Sequence, residues 1–421
     1  MKIINTLLDR NGESHFDWPL LVLMYLISFF GVLCIAIARY DPAVESEYSV
    51  LQHILASRSG QMQCVWMLLS PFVIFIMVSI PVEIYKNSCS LIYFGVLFLL
   101  VITLALSKAV NGINSWLETG IGRAVQPCEF AKISVLLIMA KQFSKSEKPM
   151  NTLKDFMTVG LQVGIPAVVV LLQGETGSVI VIGAMFIVMT AFANVDWKLW
   201  WAMILAVSLG IAVIIGYAVI TNSDDYRILR LLAFTDPQKY SESGGYQLLQ
   251  SQKAIGAGKL TGNRLFRADS MSTLGFVPES STDFIFSVVG EAFGFYGSAG
   301  LVLAYFLLIL RLTILAHNTG DRFSRLIIYG VAGMFFFHVF ENIAMNVGLM
   351  PITGIPLPFM SYGGSSYITN TACISLVLCA VKSRDFANAP GTAGKTGYKL
   401  SPRLQRSLRK PIPGGKGTAA K

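Results

Sequence analysis

The sequence predicts an all-α polytopic membrane protein of about ten helices, with both termini cytoplasmic and one long extracellular loop before the eighth helix. Three observations predict it. Of the 421 residues, 54% are hydrophobic and 14% charged, whereas a soluble domain carries about a quarter charged residues. The mean hydropathy is +0.60. Apolar runs of about 20 residues, the length that crosses a bilayer as a helix, recur along the chain.

The first run, Trp18 to Ala38, is too long for the apolar region of a signal peptide, and further runs follow it, so it reads as a retained helix. The others fall near 64–81, 90–107, 126–143, 157–173, 177–193, 198–220, 284–310, 325–345 and 364–381, the fourth and eighth carrying ionisable residues. An even number of spans puts both termini on one side. Short segments on that side hold Lys86, Lys141, Lys145, Lys148, Lys154, Lys198, Arg311, Arg322 and Arg325, against Arg39, Arg58, Lys108 and Arg123 opposite. Lysine and arginine mark the cytoplasmic side. The chain divides into a segment 1–17, a membrane domain 18–383 and a basic tail 384–421, too poor in large apolar residues to bury a core. The net charge of +9 sits mostly in this tail and the cytoplasmic loops, which suits anionic lipid and needs no nucleic acid.

Six cysteines lie in or beside apolar runs with no CxxC spacing, which argues against metal or disulfide roles. The four histidines form no metal-ligand cluster, and His338 reads as a hydrogen-bonded packing residue. In the loop 221–283, Leu248 to Ile255 predicts a short amphipathic helix lying at the membrane surface. Glycines follow it at 256, 258 and 262. Beside Lys259 and Arg264 they suit either tight turns or phosphate, with simple turns favoured.

Charges within spans are costly and usually face protein or a wet cavity. Glu129 and Lys132 lie three apart on one helix face, as a neutralising pair or as a cation for an anionic ligand with its orienting carboxylate. Asp283 opens the eighth span as either a helix cap or a functional carboxylate; Glu291 follows about 12 Å further along the same face. Glu341 and Asn342 read as partners for loop backbone. The stretch GLMPITGIPLPFMSYGGSS, Gly348 to Ser366, places turn chemistry between two spans. Irregular backbone at membrane depth survives only when buried in protein or lining a wet cavity. The stretch therefore predicts a cavity wall, with Tyr362, Ser365 and Ser366 as its hydrogen-bonding groups.

Together with QPCEFAK and FVPESSTDFIFSVVGEAFGFYG, that stretch resembles the SEDS family, the RodA, FtsW and SpoVE proteins of bacterial elongation, division and sporulation. GGYQLLQSQKAIGAGKLTG resembles the family's loop, and the likeness runs from about 60 to 381. The resemblance implies a ten-helix enzyme of the bacterial cytoplasmic membrane. Such an enzyme polymerises lipid II, a lipid-linked disaccharide-pentapeptide, outside the membrane beside a class B penicillin-binding protein and other elongation or division proteins. It implies no organic cofactor, and a divalent cation, magnesium or manganese, held by Asp283 is an alternative to a base role for that residue. By the same resemblance Asp283, Glu129 and Lys132 are catalytic, and Trp116 and Arg58 join Tyr362, Ser365 and Ser366 around substrate.

The chain departs from the family pattern at several points. Ser281 stands where a histidine precedes the Thr-Asp-Phe, Cys128 replaces a serine, and the usual Arg-Trp reads Ser115-Trp116. The usual Gln-Pro-Asp reads Gln173-Gly174-Glu175, and the usual Arg-Gln reads Met62-Gln63, with Arg58 or Arg123 as nearby cations. Two other readings of the same residues are a flippase for lipid-linked sugars and a non-catalytic scaffold for a penicillin-binding protein.

Overall fold

The computed structural model describes residues 16–45, 48–107, 115–119, 123–147, 149–150, 152–205, 233–240, 244–263 and 265–388. The long helices are α1 (Trp18–Ala38), α3 (Arg58–Ser79), α4 (Val82–Leu106), α5 (Pro127–Ser144), α6 (Leu153–Leu172), α7 (Thr176–Phe192), α9 (Ile285–Asn318), α10 (Arg322–Val347) and α11 (Gly364–Asn388). Two shorter helices are α2 (Val50–Ala56) and α8 (Gly244–Ala257). A small antiparallel hairpin, β1 (Leu117–Thr119) with β2 (Arg123–Val125), precedes α5.

Seven of the described helices are long and apolar enough to cross a membrane. Two of the expected spans that are described in full fall outside that set. α5 carries Glu129, Lys132 and Lys141 within its length, and α7 has only 17 residues. Nine of the ten expected spans coincide with described helices. The seventh begins in helical residues 197–205, and its remainder lies outside the described residues, as do residues 1–15 and 389–421 of the expected terminal segments. The helix α11 continues to Asn388, past the expected start of the tail at 384.

Helix ends run beyond the apolar runs where polar side chains hold them. α3 starts at Arg58 because Ser57 caps the Gly60 amide at 3.0 Å. α4 starts at Val82 because Tyr85 and Cys89 are already buried against the bundle. α9 passes residue 310 to reach Asn318, and its Arg311 clasps Asp17, the N-cap of α1, with Nε 3.1 Å from each carboxylate oxygen. Asp17 also accepts from the Leu20 amide at 3.0 Å, so one carboxylate starts α1 and ties it to α9.

Helix α10 is the axis, packing against α5, α7, α8, α9 and α11, while α11 lies along α3. Its mean hydropathy is 1.6 with 78% of its span buried, whereas α4 has 2.6 with 22% buried. The less apolar helix is inside because neighbouring protein, unlike lipid, supplies partners for its polar groups.

Helix α9 is broken at Gly294, where φ is 64° and ψ −159°. A break frees donors and acceptors that a regular helix would pair. The glycine-rich turn after α8 meets them. Phe295 N donates to Lys259 O at 2.9 Å, Tyr296 N to Leu260 O at 3.1 Å, and Asn263 N to Glu291 O at 2.9 Å. Such contact needs bare backbone, since a Cβ on Gly258 would stand 1.8 Å from Gly290 O. Gly258 and Gly262 therefore serve helix docking, which supports the turn reading over phosphate binding. The amphipathic helix expected over Leu248 to Ile255 is part of α8, which docks on α9 and α10 and buries Leu248, Ser251 and Ala254.

Candidate active site

The segment between α10 and α11 does form a cavity wall. Its entry is the left-handed turn at Gly348 that ends α10. Phe359 has φ 65°, an unfavourable backbone for a bulky residue. It is held there by burial between Phe335 and Tyr367, with ring centroids 5.7 and 5.8 Å away. Tyr305 of α9 donates to Pro358 O at 2.6 Å. On the other side Gly31 of α1 lies so close that a Cβ would meet Met360 Cα at 2.7 Å. The segment is thus fixed by four helices, α1, α9, α10 and α11.

This wall grips the strand of chain that carries Asp283, one carbonyl at a time. Tyr362 N donates to Ser281 O at 2.8 Å and Ser361 Oγ to Thr282 O at 2.6 Å. Asn342 and Asn346 of α10 both donate to Asp283 O, at 2.8 and 3.1 Å. Asn342 also donates to Ile355 O at 2.8 Å, so the expected pairing of Asn342 with loop backbone is present and extends to the aspartate itself. The side chain of Asp283 is half-buried and lines a cavity of about 360 Å³. The cap reading fails: α9 begins one residue later, with Phe284 at the N-cap and no side-chain cap bond.

Glu129 and Lys132 of α5 stand in the same cavity, each 2% exposed. Lys132 Nζ donates to Glu129 Oε1 at 2.7 Å and lies 3.2 Å from His338 Nε2. His338 Nδ1 lies 2.9 Å from Met334 O, an acceptor only, so Nδ1 carries the ring proton and Nε2 accepts from the lysine. An ammonium has three donors; two are engaged, and the third is available to an anion in the cavity. His338 is the hydrogen-bonded, buried residue expected from sequence, and it also lines the cavity and orients Lys132.

Trp116, Tyr362, Ser365 and Ser366 all line this cavity, as expected. Ser365 Oγ accepts from the Gln126 amide at 3.2 Å, joining α11 to the start of α5. Arg58 does not join them; it is exposed at the first residue of α3 and absent from the lining. Two carboxylates not singled out by sequence also line the wall, Glu175 and Glu279. Glu175 Oε1 accepts from Ser115 Oγ at 2.6 Å and from Gln126 Nε2 at 2.8 Å. Both Ser115 and Glu175 fall in motifs that depart from the family pattern, and those departures meet in space. Glu279 accepts from Thr282 Oγ1 at 2.9 Å, four residues before Asp283.

Glu291 has a different task. It accepts from Met271 N at 2.6 Å, Ser272 N at 3.1 Å and Ser272 Oγ at 2.6 Å, folding the loop before Asp283 onto α9. Glu341 accepts from Thr353 Oγ1 at 2.9 Å and so holds the wall from α10.

The residues fit a divalent cation in one respect. Asp283 and Glu279 offer two carboxylates at one wall, and magnesium is commonly held by one or two carboxylates plus substrate phosphates. Among the described residues no three His, Cys, Asp or Glu side chains are grouped to hold a metal by themselves.

The family model described as cell cycle protein, FtsW/RodA/SpoVE, matches residues 17–385. The chain is 31% identical to the peptidoglycan glycosyltransferase RodA of Treponema pallidum, over 87% of this chain and 98% of the relative. It is 32% identical to the peptidoglycan glycosyltransferase MrdB of Escherichia coli, over 72% of this chain and 80% of the relative. Among solved structures it resembles a chain described in the structural coordination of polymerization and crosslinking by a peptidoglycan synthase complex. The TM-score is 0.70 at 28% identity, covering 88% of this chain and 98% of that one. The rod shape determining protein RodA of Thermus thermophilus gives 0.63 at 25% identity, covering 88% and 97%.

Proposed function

This chain belongs to the FtsW/RodA/SpoVE family, and we propose that its cavity is where it joins lipid-linked disaccharides into glycan strands on the outer face of the membrane. It is a multi-pass bacterial membrane protein and a peptidoglycan glycosyltransferase. The observation that carries the site assignment is the meeting of Asp283 with the buried Lys132–Glu129 pair in one cavity. These residues come from α5 and the start of α9, more than a hundred residues apart in sequence.

The substrate is lipid II, as donor and acceptor. Asp283 takes the proton from the acceptor GlcNAc 4-hydroxyl, a role that requires hydrogen-bond reach directly or through one water. The hydroxyl oxygen forms a bond to the anomeric carbon of the donor MurNAc as the bond to the α-linked diphosphate breaks, so a β-1,4 link results. Lys132 supplies positive charge to the departing diphosphate, and its orientation is fixed by Glu129 and His338. In the alternative to the base role, Asp283 with Glu279 would hold a magnesium or manganese ion that adds charge for that leaving group. Trp116, Tyr362, Ser365 and Ser366 line the space for the sugars. The partner is a class B penicillin-binding protein, in keeping with the synthase complex in which the structural relative was described.

Purified wild type and Asp283→Asn given lipid II test the reading. Polymer from wild type, with about 10²–10⁴-fold less from the variant, is the expected result. Equal polymer from both would reject the role of Asp283. Movement of lipid II across proteoliposomes without any polymer would instead favour a flippase.

A further inference from the structure

The cavity lining is lopsided in charge. Among the described lining residues four carboxylates, Glu129, Glu175, Glu279 and Asp283, stand against one lysine. The ligand proposed above is a diphosphate and brings more negative charge. Lys132 is already committed to Glu129 at 2.7 Å. Among the described residues the donors to Glu175 are neutral, the Ser115 hydroxyl and the Gln126 amide, and both fall on Oε1. It occupies the N-cap position of α7 without capping that helix, so its side chain is turned to the hairpin side of the cavity. Trp116, an exposed indole, lines the same cavity. Deeper in the cavity Glu129, buried to 2% exposure, leaves Oε2 without a hydrogen-bond partner.

We propose that Glu175, with Trp116 and the carboxamide of Gln126, forms a subsite for an organic ammonium group carried by the substrate, the side-chain amine of its peptide. The proposal rests on the glycosyltransferase reading and adds a specificity to it. A carboxylate together with an indole face is the chemistry that binds ammonium, since the ring attracts a desolvated cation as the carboxylate pairs with it. An indole is no ligand for a hard metal ion, which takes oxygen. The family pattern places arginine where this chain has Ser115. A guanidinium there would pair with residue 175; the serine gives it a neutral hydroxyl, and among the described residues no cation takes the place.

The experiment compares lipid II carrying a free side-chain amine with lipid II acetylated at that amine, using the full chain with magnesium present. Wild type is expected to show a KM roughly tenfold higher for the acetylated substrate, the size of one ion pair of about 1.4 kcal/mol. In Glu175→Gln and in Ser115→Arg the ratio of the two KM values is expected to fall close to one. A ratio of one in wild type overturns the subsite, and so does a wild-type ratio kept in both variants. Absence of polymer from either substrate with wild type would instead overturn the glycosyltransferase reading.

Discussion

At the scale of single residues, the decisive feature is the buried ion pair of Lys132 with Glu129. Replacing Lys132 by Ala removes the cation for the diphosphate and also strands Glu129. Breaking a buried pair on one side costs about 3–5 kcal/mol. The single variant is therefore expected to be both inactive and poorly folded. The double variant Glu129→Gln with Lys132→Met is expected to recover thermal stability, read by a fluorescence melt in detergent, while remaining inactive. Full activity in the double variant would remove the lysine from the mechanism. Glu129 and Lys132 were legible in the sequence because a charge inside an apolar run is conspicuous, and Asp283 because the Thr-Asp-Phe around it resembles the family's. Glu175 and Glu279 were not, since both lie between spans where charge is ordinary. Glu175 acquires meaning only from Ser115, 60 residues before it, and Gln126, 49 residues before it. The likeness between sequences drew Arg58 into the site, but the fold sets it outside.

At the scale of elements, the strand 281–283 and the wall 351–363 act as one piece because three successive carbonyls are held from the wall and from α10. Asn342→Leu would leave Ile355 O unpaired, at a cost of about 1–3 kcal/mol, and would leave Asp283 O to Asn346 alone. The expected result is a lower kcat for polymer formation with near-normal expression, because Asn346 still holds Asp283 O. An unchanged kcat would show that the clamp does not position the carboxylate. Gly258→Ala tests the other junction. The added methyl meets Gly290 O, so the turn must lift from the break in α9, with a loss of about 1–3 kcal/mol and lower thermal stability. The irregular wall was legible because proline and glycine mark it; the break at Gly294 was not, since a glycine within an apolar span looks like any packing glycine. Its meaning comes from the turn at 258–262, more than thirty residues earlier.

At the scale of the whole molecule, nine expected spans were visible as apolar runs, and only their ends moved, where Ser57, Tyr85 and Arg311 extend a helix past its apolar stretch. Hydropathy reports what lipid accepts, and these extensions are held by protein. Sidedness is tested by labelling in intact cells. A cysteine placed at Trp116, which is 41% exposed, is expected to react with an impermeant maleimide from outside, while one at Lys145 reacts only after permeabilisation. Five of the six native cysteines are buried, which keeps background labelling low. The reverse pattern would invert the proteins's orientation and place the cavity away from its proposed substrate. The central position of α10 has a further bearing, on how the chain is built. His338, Glu341, Asn342 and Asn346 find their partners on α5 and on the stretches around 283 and 353, so a nascent chain would present this helix to the bilayer with polar groups unmet. Insertion should then be sequential and assisted by what came before, with the first helices acting as a solvent for α10. The catalytic cavity would be sealed only as the last helix arrives.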